Sequence, residues 1–243
     1  MVPLTRHGWR EMLIGTLVLA IVGFVLGWWI WWLSLLIVPV LIWLFAFFRD
    51  PNRPIPTQQY VYVSPADGTV SDVEELPHYD LLNGPAIRVG IFLSVFNVHV
   101  NRAPCDGRVV DVIYKKGKFI NALDHNNAST QNESNTVVLA EINGDRRIAV
   151  VKQIVGLIAR RIIFTARSGD TLRRGDRIGM IKFGSRTELY IPTFLKPKIE
   201  VKVGQKLRGG ADVIALLEEP IQTTEPAMKS PELEPLIGRQ TPA

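Results

Sequence analysis

The feature that most constrains this chain is a long N-terminal stretch without a charged side chain, residues 12–48. A helix needs about 20 apolar residues to cross a bilayer, and this stretch is nearly twice that length. We therefore predict a hydrophobic α-helical membrane anchor in residues 1–50, formed by two short spans or by a helical hairpin. The turn is expected in residues 27–32, where four tryptophans cluster, because tryptophan prefers the headgroup level.

The residues that flank this stretch predict its orientation. Arg6 and Arg10 precede it, and Arg49 and Arg53 follow it. Positive charge at both ends favours the cytoplasmic side for both, so we expect the rest of the chain on the cytoplasmic face of the inner cell membrane. A cleaved signal peptide is disfavoured, because its apolar core is about 7–15 residues long and ends at a small-residue cleavage site.

The rest of the chain divides by composition into three parts. Residues 51–59 are proline-rich and predict a stiff linker, residues 60–217 predict one β-rich domain, and residues 218–243 predict a disordered tail rich in Pro, Glu and Thr. The formal net charge of +5 suits an anionic phospholipid surface, and the membrane stretch accounts for it without a nucleic-acid partner. The single cysteine excludes an internal disulfide framework.

Short apolar runs separated by Asp-Gly and Asn-Gly turns dominate the β-rich domain. The predicted strands are residues 61–63, 86–94, 108–114, 135–141, 147–155 and 162–165. This pattern is typical of a sandwich or barrel, so the predicted fold class is mainly β, a barrel-sandwich domain of the lipoyl type. Residues 121–135 are polar throughout and predict a turn or mobile flap.

A short internal echo links residues 169–175 to residues 204–210. In both segments a glycine, a leucine and a second glycine recur at the same spacing. Such elements are common in barrel-sandwich domains, but two unrelated β-turns would produce the same letters, and these residues alone do not decide between the two.

Three residues are candidates for chemistry. His99 lies in an apolar strand, on one face with Asn97 and Asn101; Asp67 lies in an Asp-Gly turn; and Ser185 follows Gly184 after an apolar strand. Taken alone, a residue in each of these settings is more often structural than catalytic. Phosphate-binding glycine loops, a G-x-S-x-G elbow and an H-E-x-x-H site are absent from the sequence, so neither nucleotide nor metal binding is predicted.

Taken in order, several short motifs resemble the phosphatidylserine decarboxylase family, in its shorter branch with Gly-Ser-Arg at the cleavage site. The resemblance covers residues 60–191. The motifs are Ser-Pro-Ala-Asp-Gly at 64–68, Phe-Leu-Ser at 92–94 leading through His99 to Pro104, Asn-Glu at 132–133, Gln-Ile-Val-Gly at 153–156, Ala-Arg-Arg-Ile at 159–162 and Phe-Gly-Ser at 183–185.

This resemblance implies an enzyme that cleaves itself between Gly184 and Ser185 and converts Ser185 into a covalent pyruvoyl cofactor. It implies that Asp67, His99 and Ser185 act as a triad in that cleavage. The pyruvoyl group would form a Schiff base with phosphatidylserine, which then loses carbon dioxide to give phosphatidylethanolamine in phospholipid biosynthesis. The two chains of the precursor would stay associated, and a homo-oligomer is left open. Phe183 and Arg186 depart from the Leu and Thr of the longer branch, so no role is transferred to either.

Two other functions remain open at this point. Another pyruvoyl-dependent decarboxylase would act on a soluble amino acid, which the membrane stretch disfavours. A membrane-tethered barrel-sandwich adaptor without catalysis is compatible with the glycine echo. Such adaptors usually carry a long helical hairpin, and the sequence after residue 60 shows no sustained helical periodicity.

Overall fold

The computed structural model describes residues 3–157, 161–182 and 184–218, with the backbone alone at His125 and Asn126. The predicted disordered tail lies outside these residues except for its first member, Glu218. Phe183 and residues 158–160 also lie outside them.

The N-terminal stretch forms two helices that fold back on each other. Helix α1 (Trp9–Trp29) is followed by a 3-10 turn and by helix α2 (Ile37–Phe47). A backbone bridge between Leu4 and Arg49 closes the open end of the hairpin. Of the described helices, only the first, counted as residues 6–29, is long and apolar enough to cross a membrane, and a single such helix is weak evidence that it does. At about 1.5 Å per residue, α2 falls short of a hydrocarbon core of about 30 Å.

Fourteen strands and one short helix, α3 (His125–Gln131), make up the described part of the domain after the linker. The strands are β1 (Val61–Val63), β2 (Gly68–Tyr79), β3 (Gly84–Leu93), β4 (Val100–Arg102), β5 (Gly107–Lys115), β6 (Ser134–Ala140), β7 (Arg147–Val155), β8 (Ile162–Phe164), β9 (Thr171–Leu172), β10 (Arg177–Ile181), β11 (Ser185–Pro192), β12 (Pro197–Ile199), β13 (Lys206–Leu207) and β14 (Val213–Leu217).

The largest sheet is curled, with eight strands in the order β13-β2-β3-β11-β7-β6-β5-β9, and β11 lies near its middle. Two three-stranded sheets, β1-β14-β12 and β4-β10-β8, complete the domain. The apolar side chains of the large sheet's inner face form the main core, which includes Leu189 and Ile191 of β11. The predicted mainly-β class is confirmed, because the Val- and Ile-rich runs pair as the strands they suggested.

Eight of the fourteen strands lie outside the six predicted ranges, and one predicted loop contains a helix. Strand β2 was not predicted, because much of its length faces solvent and carries Glu74, Glu75 and Pro77 in place of an apolar alternation. The segment predicted as a polar loop contains α3, whose first turn is capped by the Asp124 carboxylate accepting the Asn127 backbone N–H at 3.4 Å.

The glycine echo is a structural repeat that relates the two edges of the large sheet. Strand β13 pairs with β2 through Leu207 and Gly68, and β9 pairs with β5 through Leu172 and Gly107. These two short strands are the opposite edges of the eight-stranded order. The two segments are therefore equivalent parts of a duplicated unit, and the alternative of unrelated turns is wrong.

The backbone turns that precede β2 and β5 are also equivalent to each other. The Val63 N–H donates to the Pro104 carbonyl at 2.9 Å, and the Arg102 N–H donates to the Pro65 carbonyl at 2.9 Å. Each turn thus holds the other, and Asp67 in the first turn corresponds to Asp106 in the second.

Candidate active site

Strand β11 begins at the predicted cleavage residue, Ser185. This residue pairs with Leu93 of β3 on one side and with Val155 of β7 on the other. Its side chain is completely buried, and its Oγ has no hydrogen-bond partner among the described residues. A buried hydroxyl without a partner is unfavourable for stability alone, which makes this serine a candidate for chemistry.

The peptide that precedes Ser185 has a constrained geometry. Gly184 has a φ of +55°, a left-handed conformation that residues with a Cβ rarely adopt. Its carbonyl oxygen lies against Gly156, so closely that a Cβ on Gly156 would come within 2.2 Å of it. Two glycines, one on each side of the contact, therefore position the carbonyl that Ser185 would attack.

The second predicted residue, His99, is completely buried at the start of β4. Its Nδ1 lies 3.0 Å from the carbonyl oxygen of Asn97. A carbonyl only accepts, so Nδ1 carries the proton and Nε2 has a free lone pair. Nε2 is buried without a hydrogen-bond partner in the described part of the chain. The backbone N–H of Ile181 donates to the His99 carbonyl at 3.2 Å, which links this residue to the strand that leads to Ser185.

Burial controls the charge of His99. Desolvation is the largest effect and lowers the pKa of the imidazole, the Asn97 carbonyl opposes this, and the nearby Arg49 guanidinium adds to the lowering, so that the pKa is about 4. The imidazole is therefore neutral at pH 7 and can accept a proton. The ring of Phe47, the last residue of α2, covers it with a centroid distance of 4.3 Å.

The third predicted residue, Asp67, has other partners than the resemblance implied. Its carboxylate accepts from the Arg53 guanidinium at 2.7 Å and from the Gly209 backbone N–H at 2.7 Å. Within the described residues no hydrogen bond joins it to His99, whose Nδ1–H is taken by the Asn97 carbonyl. Burial raises the pKa of Asp67, although Gly209 and Arg53 oppose that shift.

Strand register gives the spacing between Asp67 and the cleavage site. Thr69 of β2, Phe92 of β3 and Arg186 of β11 form one row across the sheet. Asp67 and Gly184 each lie two residues before their strand's member of this row. Two strand spacings of about 4.8 Å then separate the two backbones by roughly 10 Å.

A group of buried polar side chains below Ser185 was not predicted as part of the site. Thr187 lies on the same face of β11 as Ser185, and its Oγ accepts from the Asn101 amide at 3.0 Å. The Asn101 Oδ1 in turn accepts from the Gln153 amide at 2.8 Å, and the Gln153 Oε1 is buried without a partner in the described structure. The signals were in the sequence, since Asn101 shares a face with His99 and Gln153 begins the Gln-Ile-Val-Gly motif. Their convergence depends on the pairing of β7 with β11 and on β4, from another sheet, lying against them.

Arg186 faces away from this group. Its guanidinium donates to the Asp72 carboxylate at 2.9 and 2.7 Å and to the Glu188 carboxylate at 2.8 Å, and both Arg186 and Glu188 are completely buried. Alternation along the strand separates the two roles: Ser185 points to the inner face and Arg186 to an ion-pair network on the outer face.

The N-terminal hairpin also reaches the segment before the predicted cleavage site. Lys182 is only 4% exposed and donates to the Glu11 carboxylate of α1 at 2.6 Å. Its ammonium lies 5.8 Å from the centre of the Phe48 ring. Among the described residues, no group of three or more His, Cys, Asp or Glu side chains is arranged to hold a metal ion.

Comparison with known proteins gives one family. A model described as phosphatidylserine decarboxylase matches residues 40–215, which is more than half of the chain. The chain belongs to the phosphatidylserine decarboxylase family. This membership confirms the resemblance found in the sequence, and with it the prediction of a decarboxylase that forms a pyruvoyl group from its own chain.

Three members of the phosphatidylserine decarboxylase family illustrate the similarity, each named phosphatidylserine decarboxylase proenzyme. The protein of Rhodopirellula baltica is 44% identical over 219 residues, covering 89% of both chains. That of Carboxydothermus hydrogenoformans is 43% identical over 216 residues, covering 88% of this chain and 96% of its own. That of Paraburkholderia phymatum is 40% identical over 217 residues, covering 88% of this chain and 97% of its own. A proenzyme is a precursor that requires processing, and membership of this family excludes the non-catalytic adaptor.

Proposed function

We propose that this chain cleaves its own Gly184–Ser185 bond and uses the pyruvoyl group formed from Ser185 to decarboxylate phosphatidylserine to phosphatidylethanolamine. One observation carries the proposal: the Gly184 carbonyl is fixed against Gly156, and the next residue contributes a completely buried hydroxyl without a partner. Such a pair of groups has no evident structural use, and it is the pair that an intramolecular acyl shift requires.

In the first step the Ser185 Oγ attacks the carbonyl carbon of Gly184. The hydroxyl proton passes to Nε2 of His99, which is neutral because its pKa is about 4. The C–N bond then breaks as the nitrogen of Ser185 takes the proton, and an ester replaces the amide. The Asn97 carbonyl keeps the imidazole in the required tautomer by accepting Nδ1–H at 3.0 Å.

In the second step the ester is eliminated. A base removes the α-hydrogen of residue 185, the Cβ–O bond breaks, and Gly184 leaves as a carboxylate. Residue 185 is now a dehydroalanine with a free amine. Addition of water and loss of ammonia give the pyruvoyl group at the new N-terminus. The burial of Ser185 favours this sequence, because it keeps bulk water from the ester until elimination occurs.

Asp67 contributes by charge in this proposal. With its pKa raised by burial, the carboxylate is held in place by Arg53 and Gly209. Its negative charge stabilises the imidazolium that forms when His99 takes a proton.

The two products, residues 1–184 and 185–243, remain one folded unit. The cleaved bond lies just before β11, and the whole of β11 pairs with β3 and most of it with β7. These ladders involve strands of the large chain, so cleavage breaks one covalent bond and leaves the sheet intact.

The pyruvoyl group supplies an electron sink for decarboxylation of an amino acid that carries a free amine. The chain's own residues enclose this position: Phe47 covers His99, and the Asn101–Gln153–Thr187 group lies on the same face as Ser185. His99 is the proposed proton donor to the carbon that loses carbon dioxide.

The membrane hairpin brings the site to a lipid substrate. A diacyl lipid cannot leave the bilayer freely, because each exposed CH₂ group costs about 0.8 kcal/mol. We propose that the hairpin is inserted in the inner membrane from its cytoplasmic side, with Arg6 and Arg10 at one end and Arg49 and Arg53 at the other.

The test is the intact mass of the small chain. Purified protein should give two chains, and the small chain should have the mass expected of residues 185–243 with a pyruvoyl N-terminus. Ser185→Ala should remain a single chain. Cleavage at another bond, or cleavage in Ser185→Ala, contradicts the proposal. Equal turnover of phosphatidylserine and of free serine would favour the soluble-substrate decarboxylase.

A further inference from the structure

A basic cleft opens where the chain leaves the membrane hairpin. It has a volume of about 550 Å³, and the linker residues Asn52 and Arg53 form one of its walls. Three further arginines line it, Arg102 from β4, Arg177 from β10, and Arg174 from the turn between β9 and β10. Because Arg53 also contacts Asp67 at 2.7 Å, the cleft adjoins the candidate active site.

Acidic side chains compensate only part of this charge. Arg102 and Arg177 both contact the one carboxylate of Asp50, and Arg53 contacts Asp67. Asp176 also lines the cleft, and its carboxylate accepts the Arg173 backbone N–H at 2.7 Å. Four arginines therefore meet three carboxylates. The remaining arginine, Arg174, has no carboxylate within ion-pair distance in the described part of the chain. Its side chain donates only to the Val61 carbonyl, at 3.3 Å, and its Nε is buried without a partner.

The internal repeat indicates that the Arg174 side chain is not needed to build its turn. In the equivalent turn the same position is occupied by Gly209, which has no side chain. Both residues donate their backbone N–H to the carboxylate of an Asp-Gly turn at 2.7 Å, Gly209 to Asp67 and Arg174 to Asp106. The guanidinium is therefore an addition to one half of the repeat, on the side of the cleft that the linker also lines.

We propose that this cleft binds the phosphodiester group of a glycerophospholipid, and that it holds the headgroup of the substrate. Arginine is suited to phosphate because its planar fork of N–H donors matches two phosphate oxygens at once. The cleft is at the level at which headgroups occur, since its linker wall follows the membrane helices directly. The part that concerns the substrate rests on the proposed function, whereas binding of a phosphodiester does not.

The direct test is calorimetric titration of the detergent-solubilised full chain with two probes. Dibutyryl phosphatidylglycerol carries the phosphodiester but has no amine, so it cannot be a substrate. Inorganic phosphate is the free anion. We expect Arg174→Gln to weaken binding of the lipid probe by about tenfold, the effect of losing a hydrogen-bonded charge contact. Arg174→Lys, which keeps the charge without the fork, should recover part of the affinity.

Arg173→Gln is the matched control, because this exposed neighbour loses the same charge outside the cleft. It should change the affinity by less than about twofold. Equal affinity in Arg174→Gln and wild type, at unchanged melting temperature, overturns the site. Inorganic phosphate binding as tightly as the lipid probe overturns the lipid assignment in favour of a small-anion site.

A kinetic measurement connects the cleft to the substrate. In mixed micelles the apparent KM for phosphatidylserine should rise about tenfold in Arg174→Gln and stay unchanged in Arg173→Gln. Wild-type protein that binds the probe without decarboxylating phosphatidylserine would refute the proposed function and leave the phosphodiester site supported. Active protein with an unchanged KM in Arg174→Gln would refute the substrate role of the cleft.

Discussion

The ring of Phe47 and the imidazole of His99 lie 4.3 Å apart between their centres, so the last turn of the N-terminal hairpin forms part of the wall around the proposed catalytic base. Phe47 and Phe48 are buried with Met12 and Leu44 of the hairpin against Met180 of β10. The hairpin is thus packed against the β domain, and its removal would expose His99 to water.

Substitution of Phe47 should change the titration of His99. In Phe47→Leu, partial loss of the covering ring admits water, and the pKa of His99 should rise from about 4 toward its ordinary value of 6.5. NMR titration of histidine-labelled Ser185→Ala precursor would measure it. Phe45→Leu is the control, because Phe45 is 38% exposed on the same helix. An unchanged pKa in Phe47→Leu would show that other groups exclude the water.

Self-cleavage should tolerate acid better than a reaction driven by an ordinary imidazole. His99 acts as a base only when neutral, so its activity is present above its folded pKa of about 4 and is lost as the pH falls through that value. The cleavage rate at pH 5.5 should therefore stay within about a factor of two of the rate at pH 7.5. An imidazole with a pKa near 6.5 would lose about tenfold over that range. Gel analysis of freshly translated precursor gives the rate.

The repeat provides a control for the role of Asp67. Asp67 accepts the Gly209 backbone N–H and Asp106 accepts the Arg174 backbone N–H, each at 2.7 Å. Only Asp67 is buried and paired with Arg53. Asp67→Asn should slow self-cleavage by on the order of 100-fold, because the imidazolium loses its counter-charge. Asp106→Asn should leave the rate unchanged and lower the melting temperature by about 3 °C. Equal effects on cleavage would mean that Asp67 is structural.

Gly156 should be required for cleavage although it carries no functional group. A Cβ at this position would meet the Gly184 carbonyl oxygen at 2.2 Å, so Gly156→Ala must displace the group that Ser185 attacks. We expect cleavage to slow by on the order of 100-fold, as for other misplacements of about 1 Å. Gly84→Ala is the control, since a Cβ there meets no atom within 4 Å. Normal cleavage in Gly156→Ala would show that the carbonyl can move without loss.

The amino-acid sequence alone predicted those elements of this protein that have a strong hydrophobic pattern or a biased composition. The apolar character of residues 12–48 follows from their lack of charge and predicts the N-terminal helices. The strands that begin near residues 86, 108, 135 and 147 are predicted by their runs of Val and Ile. The motif order also sufficed to name the family and to point to Ser185, His99 and Asp67. These signals are local, so they survive without knowledge of the fold.

Only the tertiary structure decided what surrounds those residues. The contact of Phe47 with His99 joins positions 52 residues apart in the chain, and Arg53 reaches Asp67 from the linker. The equivalence of the Asp67 and Asp106 turns became visible through backbone hydrogen bonds between them. Strand pairing brings distant residues within a few ångströms, and burial then changes their pKa values; neither effect has a signature in neighbouring residues.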